Sequence, residues 1–150
     1  MYYLSIINDI QFGDKVIKVK KIVDLLFENK IWVYTSHAPH VKKLSKGDKF
    51  ILYLAGDGRR YFYGSFDIET EYDEIPSNKF LGARYNNILK IFKYYTSIKN
   101  IKVFNTPLKI NEIKENLNFI TDKKNYGLFL RQSVKMINEQ DYNYILNNIK

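Results

Sequence analysis

Apolar residues along the chain follow two spacings, one typical of strands and one typical of helices. Short runs rich in β-branched and aromatic residues predict strands at residues 3–7, 31–34, 49–54, 61–69, 87–95 and 102–104. Within residues 61–69 the alternation is regular, and one face of the strand consists of Phe62, Gly64, Phe66 and Ile68. The segment 126–136 predicts one or two further strands near the end of the chain.

Three other segments repeat apolar residues at the three- and four-residue spacing of an amphipathic helix. The first spans residues 14–29, with Asp14 as its expected N-cap. A short second helix carries Ile110, Ile113 and Leu117 on one side. The last helix follows Asn138 as its N-cap, and its apolar face consists of Tyr142, Ile145, Leu146 and Ile149.

The order of these elements predicts a fold of the α+β class. Gly56, Asp57 and Gly58 interrupt two apolar strands, which is typical of a hairpin turn. No repeat, linker or low-complexity segment divides the chain. The sequence therefore predicts one domain over residues 1–150, in which short strands form a small closed or nearly closed mixed barrel flanked by helices.

The charge balance of the chain favours a polyanionic partner. Lys and Arg number 24 against 16 Asp and Glu, so the formal net charge is +8 and the pI is about 9.4. Charge of this size indicates partners rather than fold, and nucleic acid is the commonest polyanion that proteins bind. Nucleic acid is therefore the expected partner.

Several classes of site are excluded or disfavoured by composition. The chain has no cysteine, so disulfides, thiol catalysis, zinc ribbons and iron–sulfur clusters are excluded. His37 and His40 lack the further ligands that a metal site needs, and we expect neither metal nor cofactor. No apolar run reaches the ~20 residues of a membrane span and no signal peptide is evident, so we expect a cytoplasmic location.

Two stretches carry a resemblance to a known superfamily. In the first, a strand with Trp32 leads into a polar loop, a Gly47-Asp48 turn, an apolar strand ending in Tyr53, a glycine hairpin, and the pair Tyr72-Asp73. The second comprises residues 128–133 and the helix after Asn138. In this order and spacing the stretches resemble the EVE and YTH branches of the PUA-like superfamily, which implies a PUA-like barrel.

The resemblance also implies a function and a pocket. EVE and YTH domains bind modified nucleic acid with the base flipped into an aromatic pocket, and some form the N-terminal targeting part of Mcr-type restriction systems. Trp32 matches the first aromatic wall of that pocket, and no second Trp is present. The positions that the resemblance implies for the remaining base pocket are Asn8, Thr35, Ser36, His37 and either Phe80 or Tyr85.

A set of basic residues is expected to follow the phosphate backbone of the nucleic acid. Arg59 and Arg60 are expected to project from the hairpin tip. The other members of the set are Lys42, Lys43, Lys46, Arg84 and Arg131. Phosphate contacts of this kind supply affinity and salt dependence rather than sequence choice.

Each of these assignments has an ordinary structural alternative. Trp32 lies between apolar neighbours and is also consistent with core packing, Asn8 with a turn at a strand end, and any single lysine with a solvated surface. The function we predict is non-catalytic recognition of a modified base, such as N6-methyladenine or a modified cytosine, in DNA or RNA.

Two other functions remain open from the sequence. One is a PUA-like RNA- or tRNA-binding domain without selectivity for modification. The other is a small RNA- or nucleotide-processing enzyme, for which Asp9, Asp57 and Asp73 are the candidate carboxylates. The sequence also leaves open whether residues 1–150 are a whole protein or the targeting piece of a larger restriction or motor protein.

Overall fold

The computed structural model describes residues 1–76 and 90–149 and contains a mixed sheet with three α-helices. The sheet has seven strands, which are β1 (Tyr2–Ile7), β4 (Ile31–Tyr34), β5 (Lys49–Leu54), β6 (Tyr61–Ile68), β7 (Asp73–Glu74), β8 (Tyr94–Lys109) and β9 (Val134–Ile137). A separate hairpin consists of β2 (Ile10–Phe12) and β3 (Lys15–Ile17). The helices are α1 (Val19–Glu28), α2 (Ile110–Ile113) and α3 (Glu139–Asn147).

The sheet is mixed and strongly curled. Its strand order is β4-β8-β6-β5-β1-β9, with β7 also paired to β8, and only β1 and β5 run parallel. Four strand spacings separate β4 from β1, which is about 19 Å in a flat sheet. The Trp32 indole in β4 nevertheless lies 2.8 Å from the Ser5 hydroxyl in β1. The sheet therefore closes back on itself as a half-barrel, and the predicted α+β class is confirmed.

The curl depends on close approach and bulging along β6. The pairing register of β6 shifts twice against β8 and once against β5, and such bulges bend strands. A Cβ on Gly64 would lie 2.5 Å from the carbonyl oxygen of Lys102 in β8. Gly64 is thus needed where the backbones of β6 and β8 approach most closely.

The first predicted helix is shorter than its apolar spacing suggested. Residues 10–17 form the β2–β3 hairpin, so Asp14 is not an N-cap and Val16 is exposed. Helix α1 begins at Val19, whose N–H donates to Asp9 Oδ1 over 2.8 Å. A carboxylate from before the hairpin therefore caps the helix, which no local pattern of residues predicts.

The C-terminal third also differs from the prediction in its strands. Residues 102–104 are not a separate strand, because β8 continues past Pro107. The predicted strand region 126–136 divides into a 3-10 helix at Tyr126–Leu130 and strand β9. The Asn138 cap is confirmed, since its side chain accepts a hydrogen bond from the N–H of Asp141 over 2.7 Å.

Two apolar cores lie on the two faces of the sheet. One contains Trp32 and Phe66 with the buried face of α1, and the other contains Tyr53 and Phe62 with residues of α2 and α3. Alternate side chains of each strand point to opposite faces, so neighbouring residues of β1 and β5 contribute to different cores. Within the described residues, no helix is long and apolar enough to cross a membrane.

Candidate functional site

Trp32 is anchored in the barrel core rather than held on the surface. Only 2% of the residue is exposed. Its ring centroid lies 5.2 Å from that of Phe66 and 5.9 Å from that of Phe27. The indole Nε1 donates to Ser5 Oγ over 2.8 Å, so its one polar atom is satisfied. These contacts fix the orientation of the ring.

A narrow cleft nevertheless opens beside Trp32, in the gap between β4 and the paired strands β1 and β9. We call it the Trp32 cleft, and its lining residues are Ser5, Ile6, Ile7, Trp32, Val33, Tyr34, Thr35, Phe92, Ser133 and Val134. Its volume is about 40 Å³. Because a site of about 10–15 Å³ on this measure holds one water, the cleft accepts a methyl-sized group rather than a whole base.

The lining of the Trp32 cleft is neutral. None of the described lining residues carries a carboxylate, an imidazole or an amine, and the polar side chains are hydroxyls. The Tyr34 hydroxyl is hydrogen-bonded to Thr96 Oγ1 over 2.9 Å, and burial raises the pKa of Tyr34 far above its usual value. The cleft therefore offers apolar contact and neutral hydrogen bonds.

The structure brings together only part of the predicted base pocket. Trp32 and Thr35 both line the cleft, whereas Ser36 and His37 are exposed in the loop that follows and are absent from the lining. Phe80 and Tyr85 lie outside the described residues, as does the predicted backbone contact Arg84.

Asn8 and Arg59 bind each other, whereas the sequence predicted one contact with the base and another with the phosphate backbone. Arg59 Nη2 donates to Asn8 Oδ1 over 2.6 Å, and Arg59 Nε donates to the carbonyl of Ala55 over 2.7 Å. The same guanidinium lies 3.5 Å from Asp9. The expectation that Arg59 projects from the hairpin tip is therefore wrong, because its side chain folds back and is only 19% exposed.

Asp9 links the Asn8–Arg59 pair to the start of α1. The N–H of Val19 lowers the pKa of the Asp9 carboxyl most strongly, and Arg59 and Lys18 lower it further, while partial burial opposes them. Lys18 Nζ lies 3.8 Å from Asp9 Oδ2. We define the Asn8 latch as Asn8, Asp9 and Arg59, and it ties the end of β1 to the β5–β6 hairpin.

The remaining predicted phosphate contacts do not share one end of the sheet. Lys46 lies before the start of β5, and Arg60 lies between the end of β5 and the start of β6, so the length of β5 separates them. Six residues of strand span about 20 Å. Lys42 and Lys43 are exposed in a 3-10 turn, and Arg131 is exposed between the 3-10 helix at Tyr126–Leu130 and β9.

A second and larger cleft was not predicted from the sequence. We call it the Tyr53 cleft, and its lining residues are Tyr53, Ala55, Gly56, Arg60, Lys124, Tyr126, Gly127 and Leu130. Its volume is about 320 Å³. Three of these eight residues, Tyr126, Gly127 and Leu130, come from the segment that the apolar pattern predicted as strand, so that pattern contained no signal for the cleft.

Carboxylates and metal ligands do not converge at either cleft. Asp9 belongs to the latch, Asp57 forms an ion pair with Arg60 over 2.9 Å, and Asp73 lies in β7. Among residues 1–76 and 90–149, no group of three or more His, Asp or Glu side chains is placed to hold a metal ion.

Comparison with known proteins identifies the family and the fold. The model of the EVE domain matches residues 19–148. No curated protein matches the chain significantly. Several solved structures share the fold at low sequence identity. The DUF55 domain of human thymocyte nuclear protein 1 has a TM-score of 0.66 and 14% identity over 98% of this chain and 97% of that one.

Two further solved structures extend the comparison. The human THYN1 protein in complex with 5-methylcytosine containing DNA has a TM-score of 0.64 and 13% identity, over 97% of this chain and 95% of that one. The N-terminal domain of McrB from Staphylothermus marinus has a TM-score of 0.52 and 13% identity, over 98% and 93%. At these identities the likeness establishes a shared PUA-like fold.

Proposed function

The chain belongs to the EVE-domain family, and on that premise we propose that it recognises a modified base in DNA. The net charge of +8 supports a nucleic-acid partner. The structure of the human THYN1 protein, which shares the fold, contains DNA with 5-methylcytosine and supports DNA as that partner. Selectivity for modification is assigned to the Trp32 cleft.

The size and chemistry of the Trp32 cleft carry this proposal. A base is extruded from the stack so that its modified edge reaches the mouth of the cleft. The added methyl enters the apolar space of about 40 Å³ beside Trp32, while the ring stays at the mouth. Burial of one methyl contributes about 0.8 kcal/mol, which is a few-fold in affinity.

Hydroxyl groups around the cleft supply the hydrogen bonds. Ser5 Oγ accepts from Trp32 and retains its own O–H as a donor, and Thr35 and Ser133 add two more hydroxyls. Contacts of this kind to the edge of a base distinguish one base from another more sharply than a methyl alone.

The neutral lining supports a binding module rather than an enzyme. General acid–base catalysis needs a titratable side chain within hydrogen-bond reach of the substrate. Tyr34 is the titratable side chain in the described lining of the Trp32 cleft, but burial raises its pKa far above the usual value and its hydroxyl is hydrogen-bonded to Thr96. The carboxylates that an enzyme would use are engaged or distant. The fold shared with the N-terminal domain of McrB supports a targeting role within a modification-dependent restriction system.

One observation favours a second candidate, RNA or tRNA binding without selectivity for modification. The Trp32 cleft is smaller than a base, whereas the net positive charge is enough for binding through phosphates alone. The two candidates differ in whether affinity depends on modification.

Matched oligonucleotides test the proposal directly. They are DNA and RNA of one sequence, carrying adenine, N6-methyladenine, cytosine, 5-methylcytosine or 5-hydroxymethylcytosine, and affinities are measured at two salt concentrations. We expect one modified DNA to bind at least three-fold more tightly than its unmodified counterpart at both salt concentrations. Equal affinity for all of them would overturn modified-base recognition and leave the second candidate.

A substitution that fills the Trp32 cleft tests whether the selectivity for modified DNA resides there. Ser133→Leu places a larger side chain in the Trp32 cleft while the backbone hydrogen bond from Ile6 N–H to the Ser133 carbonyl is retained. The matched control is Ser45→Leu, an exposed position in the turn before β5. We expect Ser133→Leu to abolish the preference for modified DNA and Ser45→Leu to preserve it, with both proteins folded by circular dichroism.

A further inference from the structure

The Tyr53 cleft is lined by a tyrosine whose ring is buried and whose hydroxyl keeps access to solvent. Tyr53 is 2% exposed, and its ring is fixed by an edge contact with Phe62 at 5.3 Å between centroids. Its hydroxyl has no hydrogen-bond partner within the described part of the chain. This phenol is therefore a donor available to a ligand that enters the cleft.

The Tyr53 phenol shares its cleft with a second phenol and a guanidinium. Burial raises the pKa of Tyr53, the nearby Tyr126 hydroxyl raises it further, and Arg60 opposes both. Tyr126 and Arg60 line the same cleft as Tyr53.

Cations line or adjoin the Tyr53 cleft. Arg60 and Lys124 line the cleft, and Lys114 Nζ lies 4.8 Å from the centroid of the Tyr126 ring. Among the described residues Asp57 is the one acid paired with Arg60, and it is 98% exposed, so several guanidinium donors remain for an anion. The cleft thus combines phosphate-binding groups with an aromatic surface, and its volume of about 320 Å³ falls at the lower end of ligand-binding clefts.

The Tyr53 cleft and the Trp32 cleft open at one end of the sheet. β1 and β5 are parallel and end together, and the Ala55 N–H donates to the Ile7 carbonyl over 2.9 Å. Leu130 lines one cleft and Ser133 the other, and at most about 11 Å separates the Cα atoms of these two residues. That distance corresponds to about three stacked nucleotides, and the exposed Arg131 lies within it.

We propose that the Tyr53 cleft is a second nucleotide subsite, which holds a nucleotide of the same strand whose modified base lies at the Trp32 cleft. Arg60 and Lys124 bind its phosphate, the Tyr53 hydroxyl donates a hydrogen bond to it, and its base packs against Tyr126. The placement on one strand rests on the proposed function, whereas nucleotide binding in the Tyr53 cleft does not.

The first experiment asks whether the cleft binds a nucleotide. Deoxyadenosine monophosphate, deoxyadenosine and inorganic phosphate are titrated separately into the full chain, and amide shifts are followed by NMR. We expect saturable shifts at Gly127 and Leu130 with the monophosphate, and weaker binding by at least five-fold with each of the other two. Shifts that are absent there, or equal for phosphate alone, would overturn a nucleotide subsite.

The second experiment separates a free nucleotide from a nucleotide within a strand. Arg60→Gln, Lys124→Gln and Tyr53→Phe are compared with Lys21→Gln, an exposed lysine on α1 at the opposite face of the sheet. We expect each cleft variant to weaken binding of a single-stranded DNA by three- to ten-fold, without changing the ratio between modified and unmodified DNA. Lys21→Gln is expected to change binding less than two-fold.

The outcomes distinguish the two proposals. Loss of affinity in the cleft variants, with no modified-base preference in the unaltered protein, would overturn the proposed function and support the subsite. If the unaltered protein prefers modified DNA but the cleft variants bind DNA as tightly as Lys21→Gln does, the placement of the Tyr53 cleft on the same DNA strand would be overturned. Thermal unfolding of each variant checks that the fold is retained.

Discussion

The Trp32 cleft and the Tyr53 cleft lie at the same end of the sheet but belong to its two opposite cores. The first has a volume of about 40 Å³ and a neutral lining, and its lining residue Trp32 is also part of the apolar core. The second has a volume of about 320 Å³, two cations in its lining and a tyrosine hydroxyl that is open to a ligand. One end of a barrel thus presents a tight neutral site beside an open cationic one.

The difference between the two clefts predicts that one contributes selectivity and the other contributes affinity. A tight apolar space discriminates by fit, because a group that is too large or too polar is excluded at a cost. An open cationic cleft contributes affinity that falls as salt rises and discriminates little. Substitutions at the first site should therefore change stability and selectivity, and substitutions at the second should change affinity.

Trp32→Ala should have the largest effect on stability. The indole is buried against Phe27 and Phe66, and truncation of such a residue costs about 3–5 kcal/mol. The measurement is the free energy of unfolding from urea denaturation. A loss below about 1 kcal/mol would mean that Trp32 is a surface wall of the pocket rather than part of the core, and the contrast between the clefts would fail.

Ser5→Ala should have a smaller effect on the same cleft. The substitution leaves the buried indole N–H without its acceptor, which costs about 1–3 kcal/mol. The half-buried Ser65 provides a matched control, and Ser65→Ala should stay within about 0.5 kcal/mol of the unaltered protein. Equal unfolding free energies for the two variants would show that the indole hydrogen bond contributes nothing.

Much of the fold was predictable because its strands and its last helix carry local signals. The regular alternation at residues 61–69 corresponds to β6, and Asn138 caps the final helix as expected. The first helix was misplaced because Val16 has helical spacing with Val19 but lies in a hairpin. Helix α1 begins at Val19 because the distant Asp9 caps it, and local spacing contains no information about such a contact.

The site was less predictable because it depends on contacts between distant residues. Trp32 was found through its resemblance to a family motif, yet its partner Ser5 was not, since only the curl of the sheet brings them together. Arg59 carries the same sequence signal as Arg60, but only Arg60 is more than half exposed. The Tyr53 cleft combines two segments of the chain that share no sequence pattern.

The Asn8 latch ties the end of β1 to the β5–β6 hairpin, and Asp9→Ala should have the smallest effect of the three substitutions. Loss of the cap on α1 is expected to cost about 1 kcal/mol at pH 7. The pKa of Asp9 is lowered in the folded state, so its contribution is present above its ordinary value of 3.8 and disappears as the pH falls through the lower folded value.

Urea denaturation between pH 7 and pH 2.5 measures that pH dependence. The unaltered protein should exceed Asp9→Ala in unfolding free energy at pH 7, and the difference should shrink below pH 3.8. Asp14→Ala is the control, because Asp14 is exposed in the turn between β2 and β3 and caps no helix. If Asp14→Ala lost as much stability as Asp9→Ala, the assignment of Asp9 as the cap of α1 would be wrong, and the cap predicted from the sequence, Asp14, would be supported.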